Sequence, residues 1–206
     1  MRNGGKEMYW NMKEFDIAYD KADVVLSKIA YKTDRMIPTS AVIDAVENIL
    51  NVDVKFSIYD FSKIPPMANK KINFNAYGAA MAVDGNRVSI LLNKNETPEM
   101  QRFSLVHELG HLMTQPKLRE QGFKVSTHID MDITSIPKEI LENPKYNFLI
   151  EEQVANIFAL LVLIPYEMLV EAIEKFDLIE EAAAFFGVSE SAFESRLLLR
   201  DAEKVN

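Results

Sequence analysis

Residues 107 to 111 read His-Glu-Leu-Gly-His, the H-E-x-x-H pattern, and take up two of the chain's three histidines. On a helix, residues four apart lie one turn apart on one face, so both imidazoles can reach a single tetrahedral zinc at about 2.0–2.1 Å. Glu108 is rotated by about 100° from His107 and does not join the pair as a ligand. It can instead face a water on the metal. Zinc lowers the pKa of such a water to about 7, and a carboxylate beside it can take the proton as the water attacks a polarised carbonyl. One helix would thus carry two ligands and a general base.

A catalytic zinc also needs a third protein ligand and an open fourth position. The metzincin continuation would place Gly and His where this chain has Thr114 and Lys117, so that class is excluded. The remaining His128 could serve only from an irregular stretch. A helix starting near residue 148 offers Glu151 and Glu152, with Ala155 and Asn156 further along. A carboxylate, a small residue for close approach and an amide then share one helical face, and Asn156 can orient a ligating histidine by a hydrogen bond. His128 and Tyr77 are further candidates for a hydrogen bond to a developing oxyanion or for contact with substrate.

The elements that must position these groups are legible as patterns. Residues 8–32 have loose helical periodicity. Thr39 or Ser40 can cap a second helix, whose Ala41, Val42, Ala45, Val46, Ile49 and Leu50 form one apolar stripe. Residues 52–61 alternate, with Val52, Val54, Phe56 and Ile58 on one face, as a half-buried strand does. Asp84-Gly85-Asn86 between two β-prone runs predicts a hairpin. Thr97-Pro98 opens the H-E-x-x-H helix with a capping hydroxyl and a proline at its first position. Residues 116–147 show little periodicity, which suggests a functional loop or lid. Helices at about 148–164 and 166–176 follow, then a pair over 178–201 punctuated by Gly187.

These patterns predict an α+β fold: a small, mostly antiparallel sheet over residues 52–93 beside the H-E-x-x-H helix, then an all-helical C-terminal part. Of the 206 residues, 48% are apolar and 26% charged, ordinary globular values that exclude a disordered chain. With no cysteine, thiolate ligands, disulfides and cysteine nucleophiles are excluded, and any metal falls to His and carboxylates. The N-terminus leads to no apolar run of secretory type, and Val154 to Ile164 is too short to span a bilayer, so a cytoplasmic protein with no membrane contact is expected.

The net charge of −8 is unevenly placed. Residues 1–137 hold 17 acids and 17 bases, whereas residues 138–206 hold 14 acids and 6 bases. Ala182 to Phe193 outlines a helix-turn-helix. Its second helix places Glu190 and Glu194 before Arg196 and Arg200, and Glu180 and Glu181 flank it. Such acidity repels a phosphate backbone and disfavours DNA binding.

Several stretches together resemble the ImmA/IrrE family of zinc metallopeptidases. They are Arg102 to His111, Glu152-Gln153-Val154-Ala155-Asn156-Ile157-Phe158-Ala159, Leu163-Ile164-Pro165, Ile37-Pro38, Tyr77-Gly78 and the segment from Phe186 to Leu197. The resemblance covers about residues 36–200. It implies a zincin-like, gluzincin-type endopeptidase over 36–176; residues 1–35, outside it, read as a helical extension, and 177–206 as a helix-turn-helix-like hairpin packed on the core. It also implies that the glutamate three before Ala-Asn, here Glu152, is the third zinc ligand, and that the protein substrate is a helix-turn-helix repressor. A zinc-containing regulator that binds DNA or a repressor without turnover is the other reading the motifs allow.

Overall fold

The computed structural model describes residues 12–63, 78–118, 126–127 and 147–203. In chain order these form α1 (Met12–Leu26), α2 (Thr39–Leu50), β1 (Asp53–Tyr59), β2 (Ala79–Asp84), β3 (Arg87–Asn93) and α3 (Pro98–Thr114). After them come β4 (Ser126–Thr127), α4 (Asn147–Leu163), α5 (Tyr166–Lys175), α6 (Ile179–Phe186) and α7 (Glu190–Glu203). The fold is α+β, with helices predominating.

The Asp84-Gly85-Asn86 turn forms as predicted, with Gly85 at φ +61° and Asp84 paired to Arg87 across an antiparallel ladder. Sheet order is β1-β3-β2-β4. The hairpin occupies one side of β3, so β1 adds to the other side and runs parallel to it. The sheet is therefore mixed: its β2-β3 and β2-β4 pairings are antiparallel, as expected for most of it, and only β1-β3 is parallel. A second difference concerns β1 itself. Val54 is buried, but Phe56 and Ile58 on the same face are 51% and 57% exposed. β1 is an edge strand, and α2 contributes few contacts to it, so the apolar period continues where burial does not.

The core lies between the sheet and the helices. α3 packs along α4 and touches β2 and β3, while α1 buries Phe15, Ala18, Ala22 and Val25 and packs mainly on α4. Every residue of α3 from Phe103 to Met113 is buried. A helix enclosed on all sides shows no amphipathic stripe, which is why its identity rests on its cap and motif. Among the described residues no single helix is long and apolar enough to cross a membrane.

Two caps differ in their outcome. Thr97 Oγ1 accepts from the Met100 amide at 3.3 Å, as expected. At α2 the cap position falls to Pro38 and no side chain caps the helix. Thr39 Oγ1 instead accepts a 2.6 Å bond from Arg102 Nη1, and Arg102 Nη2 donates to the Ile37 carbonyl at 2.6 Å, tying α2 to α3. Beside Arg102, Gly187, at φ +62°, closes α6 with bonds to the Ala183 and Ala184 carbonyls. α6 and α7 then pack through Phe186 and Phe193, whose rings lie 5.8 Å apart.

The C-terminal end of β1 is fastened by a clip with a testable pH signature. Asp60 accepts from Lys94 Nζ at 2.7 Å and from Ser62 Oγ at 2.6 Å. Chiefly the bonds from Lys94 and Ser62 hold its carboxyl down to about 2. A depressed carboxylate stabilises the fold above its unfolded pKa, and that contribution is lost as pH falls through the folded value. Asp60→Asn should therefore lower the urea midpoint at neutral pH. The gap between variant and wild type should hold down to about pH 4 and close as pH 2 is approached. A gap that stays constant to pH 2 would remove this role for the carboxylate.

Candidate metal centre

Residues four apart on α3 bring His107 and His111 to one face, with imidazole planes at 81° and centroids 4.6 Å apart. Neither is exposed beyond 2%. α4 crosses α3 at the same level because both helices are small there. A Cβ built on Gly110 would lie 2.9 Å from Phe158 Cδ1 and 3.1 Å from the Ala155 carbonyl oxygen. Any side chain at 110 would push the helices apart.

This approach carries Glu152 to the histidines. Its Oε2 lies 3.3 Å from His107 Nε2 and its Oε1 3.3 Å from His111 Nε2, while the two Nε2 atoms are 2.9 Å apart. Ligands at 2.0–2.1 Å on a tetrahedral ion are separated by about 3.3 Å. Each histidine meets a different carboxylate oxygen at that spacing, and the separation of the two Nε2 atoms is tighter. Among the described residues these three side chains form the group able to hold a metal ion, with ligating atoms within 4.8 Å of one another. Glu151, the neighbouring alternative, is on the exposed side of α4.

The partners behind the histidines matter as much. Asn156, 5% exposed, directs Oδ1 at His107 Nδ1 at 2.7 Å. An amide oxygen only accepts, so Nδ1 carries the proton and Nε2 presents a lone pair toward Glu152 and His111. On the other histidine, Nδ1 lies 2.8 Å from the Gln115 side-chain amide. Sequence reasoning passed over Gln115, although its spacing of four from His111 was the available signal. Glu108 is fully buried in the same stretch and stands outside the triangle of ligating atoms.

Of the remaining candidates, Tyr77 and His128 lie outside the described residues. Gly78 is described, and a Cβ there would meet Ser104 Oγ at 2.7 Å, so the start of β2 presses on α3 one turn before His107. The segment from 116 to 147, expected to be a loop or lid, is described only at residues 116–118, 126–127 and 147. Its two-residue strand β4 pairs with β2 at Ala80 and Met81.

A buried helix bearing two imidazoles one turn apart, met by a carboxylate from a second helix, is the donor set of a metal-dependent hydrolase. The family model Peptidase_M78, described as the IrrE N-terminal-like domain, matches residues 58–198. The chain belongs to this family of metallopeptidases. The match takes in both helices that carry the triangle, along with α5, α6 and most of α7. No curated protein sequence matches the chain.

Proposed function

We propose that this protein is a zincin-like, zinc-dependent endopeptidase in which His107, His111 and Glu152 hold the metal. The observation that carries the reading is the triangle of Nε2, Nε2 and carboxylate atoms at 2.9–3.3 Å, backed by an amide that sets the His107 tautomer. Two neutral imidazoles and one carboxylate suit zinc better than calcium or magnesium, which favour oxygen ligands. Zinc in such a site polarises a carbonyl and lowers the pKa of water to about 7.

Glu108 is the general base of this proposal. Its carboxylate takes a proton as water adds to the scissile carbonyl carbon, then passes it to the amide nitrogen as the C–N bond breaks. Asn156 keeps the His107 ring oriented throughout. The substrate implied by the family resemblance is a helix-turn-helix repressor. Duplex DNA is the poorer partner, because Arg196 on α7 is fully buried with its Nε donating to the Ile164 carbonyl at 2.8 Å. Exposed Glu190 and Glu194 remain on that helix.

Elemental analysis tests the metal assignment. One zinc per chain is expected after stripping and reconstitution, with loss of that zinc in His107→Ala. A reconstituted wild-type protein without bound zinc would end the proposal. The substrate is tested by co-expressing the chain with the product of the neighbouring gene and looking for a cleaved product.

A further inference from the structure

The two histidines of the triangle are supported differently. His107 is held from α4 by Asn156, deep in the core. His111 is held from its own helix, by the side chain of Gln115, the residue at the C-cap of α3, whose amide nitrogen lies 2.8 Å from His111 Nδ1. We infer that Gln115 is a positioning residue for the metal, fixing the His111 ring so that its Nε2 points at Glu152 and His107. This rests on the proposed metal site.

The argument is one of hydrogen-bond complementarity. A neutral imidazole that gives its Nε2 lone pair to a metal carries its proton on Nδ1, and burying that N–H without an acceptor is unfavourable. His111 is 2% exposed, so water is a poor substitute partner. Gln115 carries oxygen and nitrogen on one planar group, and a half-turn about its terminal torsion exchanges them. With the oxygen inward it accepts from Nδ1–H. With the nitrogen inward, the orientation the structure shows, it donates to a bare Nδ1, and metal binding through Nε2 calls for the half-turn. It thereby satisfies His111 in either tautomer, which a carboxylate or an ammonium could not do equally well.

The placement of Gln115 on the backbone is independent of this bond. The Gln115 amide N–H donates to the His111 carbonyl at 2.9 Å whatever the side chain, so substitution at 115 leaves the helix end closed. Gln115 also lines a cavity of about 350 Å³ with Ile17, Lys117, Glu151 and Val154, which gives a changed side chain room. The role is thus separable from folding.

The test compares the full-length wild type with Gln115→Met, which keeps the unbranched stem but removes both polar atoms, and with Gln115→Glu, which keeps only acceptors. Each protein is stripped and titrated with Zn2+ against a chromophoric chelator, and loaded with Co2+ for its visible spectrum. Gln115→Met should raise the Zn2+ Kd about 10- to 100-fold and alter the Co2+ bands, with an unchanged far-ultraviolet circular dichroism spectrum. Gln115→Glu should bind at least as tightly as wild type. Equal Kd values for Gln115→Met and wild type, or a Gln115→Glu protein as weak as Gln115→Met, would overturn the inference while leaving the metal site standing. A wild type that takes up no Zn2+ would instead remove the site itself.

Discussion

Glu108→Gln is expected to slow peptide-bond hydrolysis by about 10²- to 10⁴-fold, the usual contribution of a positioned general base, while retaining one metal per chain. The two substituents are nearly isosteric, so the fully buried position is not overfilled. The amide has no basic oxygen to accept a proton at neutral pH, and it cannot return one to the leaving nitrogen. Comparing cleavage of a co-expressed substrate by wild type and variant reads this directly. The same pair separates a peptidase from a regulator that merely holds its partner. A protein acting by binding alone would leave the partner intact in both forms, whereas a peptidase yields fragments with wild type and an uncut, captured partner with the variant. Loss of the metal together with activity in Glu108→Gln would reassign Glu108 from proton transfer to the ligand shell.

The second large effect is expected at Gly110. In an exposed helix interior, replacing Gly by Ala gains about 1 kcal/mol through propensity. Here the added carbon meets Phe158 at 2.9 Å and the Ala155 backbone at 3.1–3.2 Å. Overpacking of this kind costs about 1–3 kcal/mol, so Gly110→Ala should lie near the balance point in stability. Gly110→Val adds two further carbons and loses the propensity gain, which tips the balance clearly. A fall in Tm of several degrees is expected, at about 2–4 °C per kcal/mol for a chain of this size. The functional consequence is larger than the thermal one. Spreading α3 from α4 carries Glu152 away from both histidines, so zinc uptake should fall even in Gly110→Ala. A Gly110→Ala protein with wild-type zinc affinity would show that the crossing has slack.

How far the sequence anticipates this arrangement depends on the range of the interaction. The His107, Glu108 and His111 constellation was readable because its geometry lies within a single helical turn, and the Thr97-Pro98 cap located that helix. The one-turn spacing from Glu152 to Asn156 favours Glu152 over Glu151, since adjacent positions differ in which side of α4 faces α3. The resemblance to ImmA/IrrE peptidases pointed to Glu152, and the helix crossing at Gly110 is what brings its oxygens to 3.3 Å.

Features set by distant partners were misread or missed. Strand period put Phe56 and Ile58 inward, but a strand at the sheet edge outruns its cover. That β1 joins the open flank of β3, and does so in parallel, is a fact of long-range connectivity that no local pattern records. The hydroxyl of Thr39, a sensible helix cap by its type, is engaged by Arg102 from far along the chain. Gln115 was overlooked because a C-cap glutamine reads as a helix end before it reads as a partner for an imidazole.

The enclosure of α3 on every side has a thermodynamic corollary. Its two histidines and Glu152 come from separate helices, so the triangle exists only once α3 has docked on α4, and the unfolded chain offers no comparable site. Metal uptake on the proposed reading is then coupled to folding itself, each favouring the other through linkage. At a free-ion concentration 100 times the Kd, that coupling adds about 2.7 kcal/mol to the folded state. The ion supply of the surroundings would set not only how many molecules are active but how many persist intact.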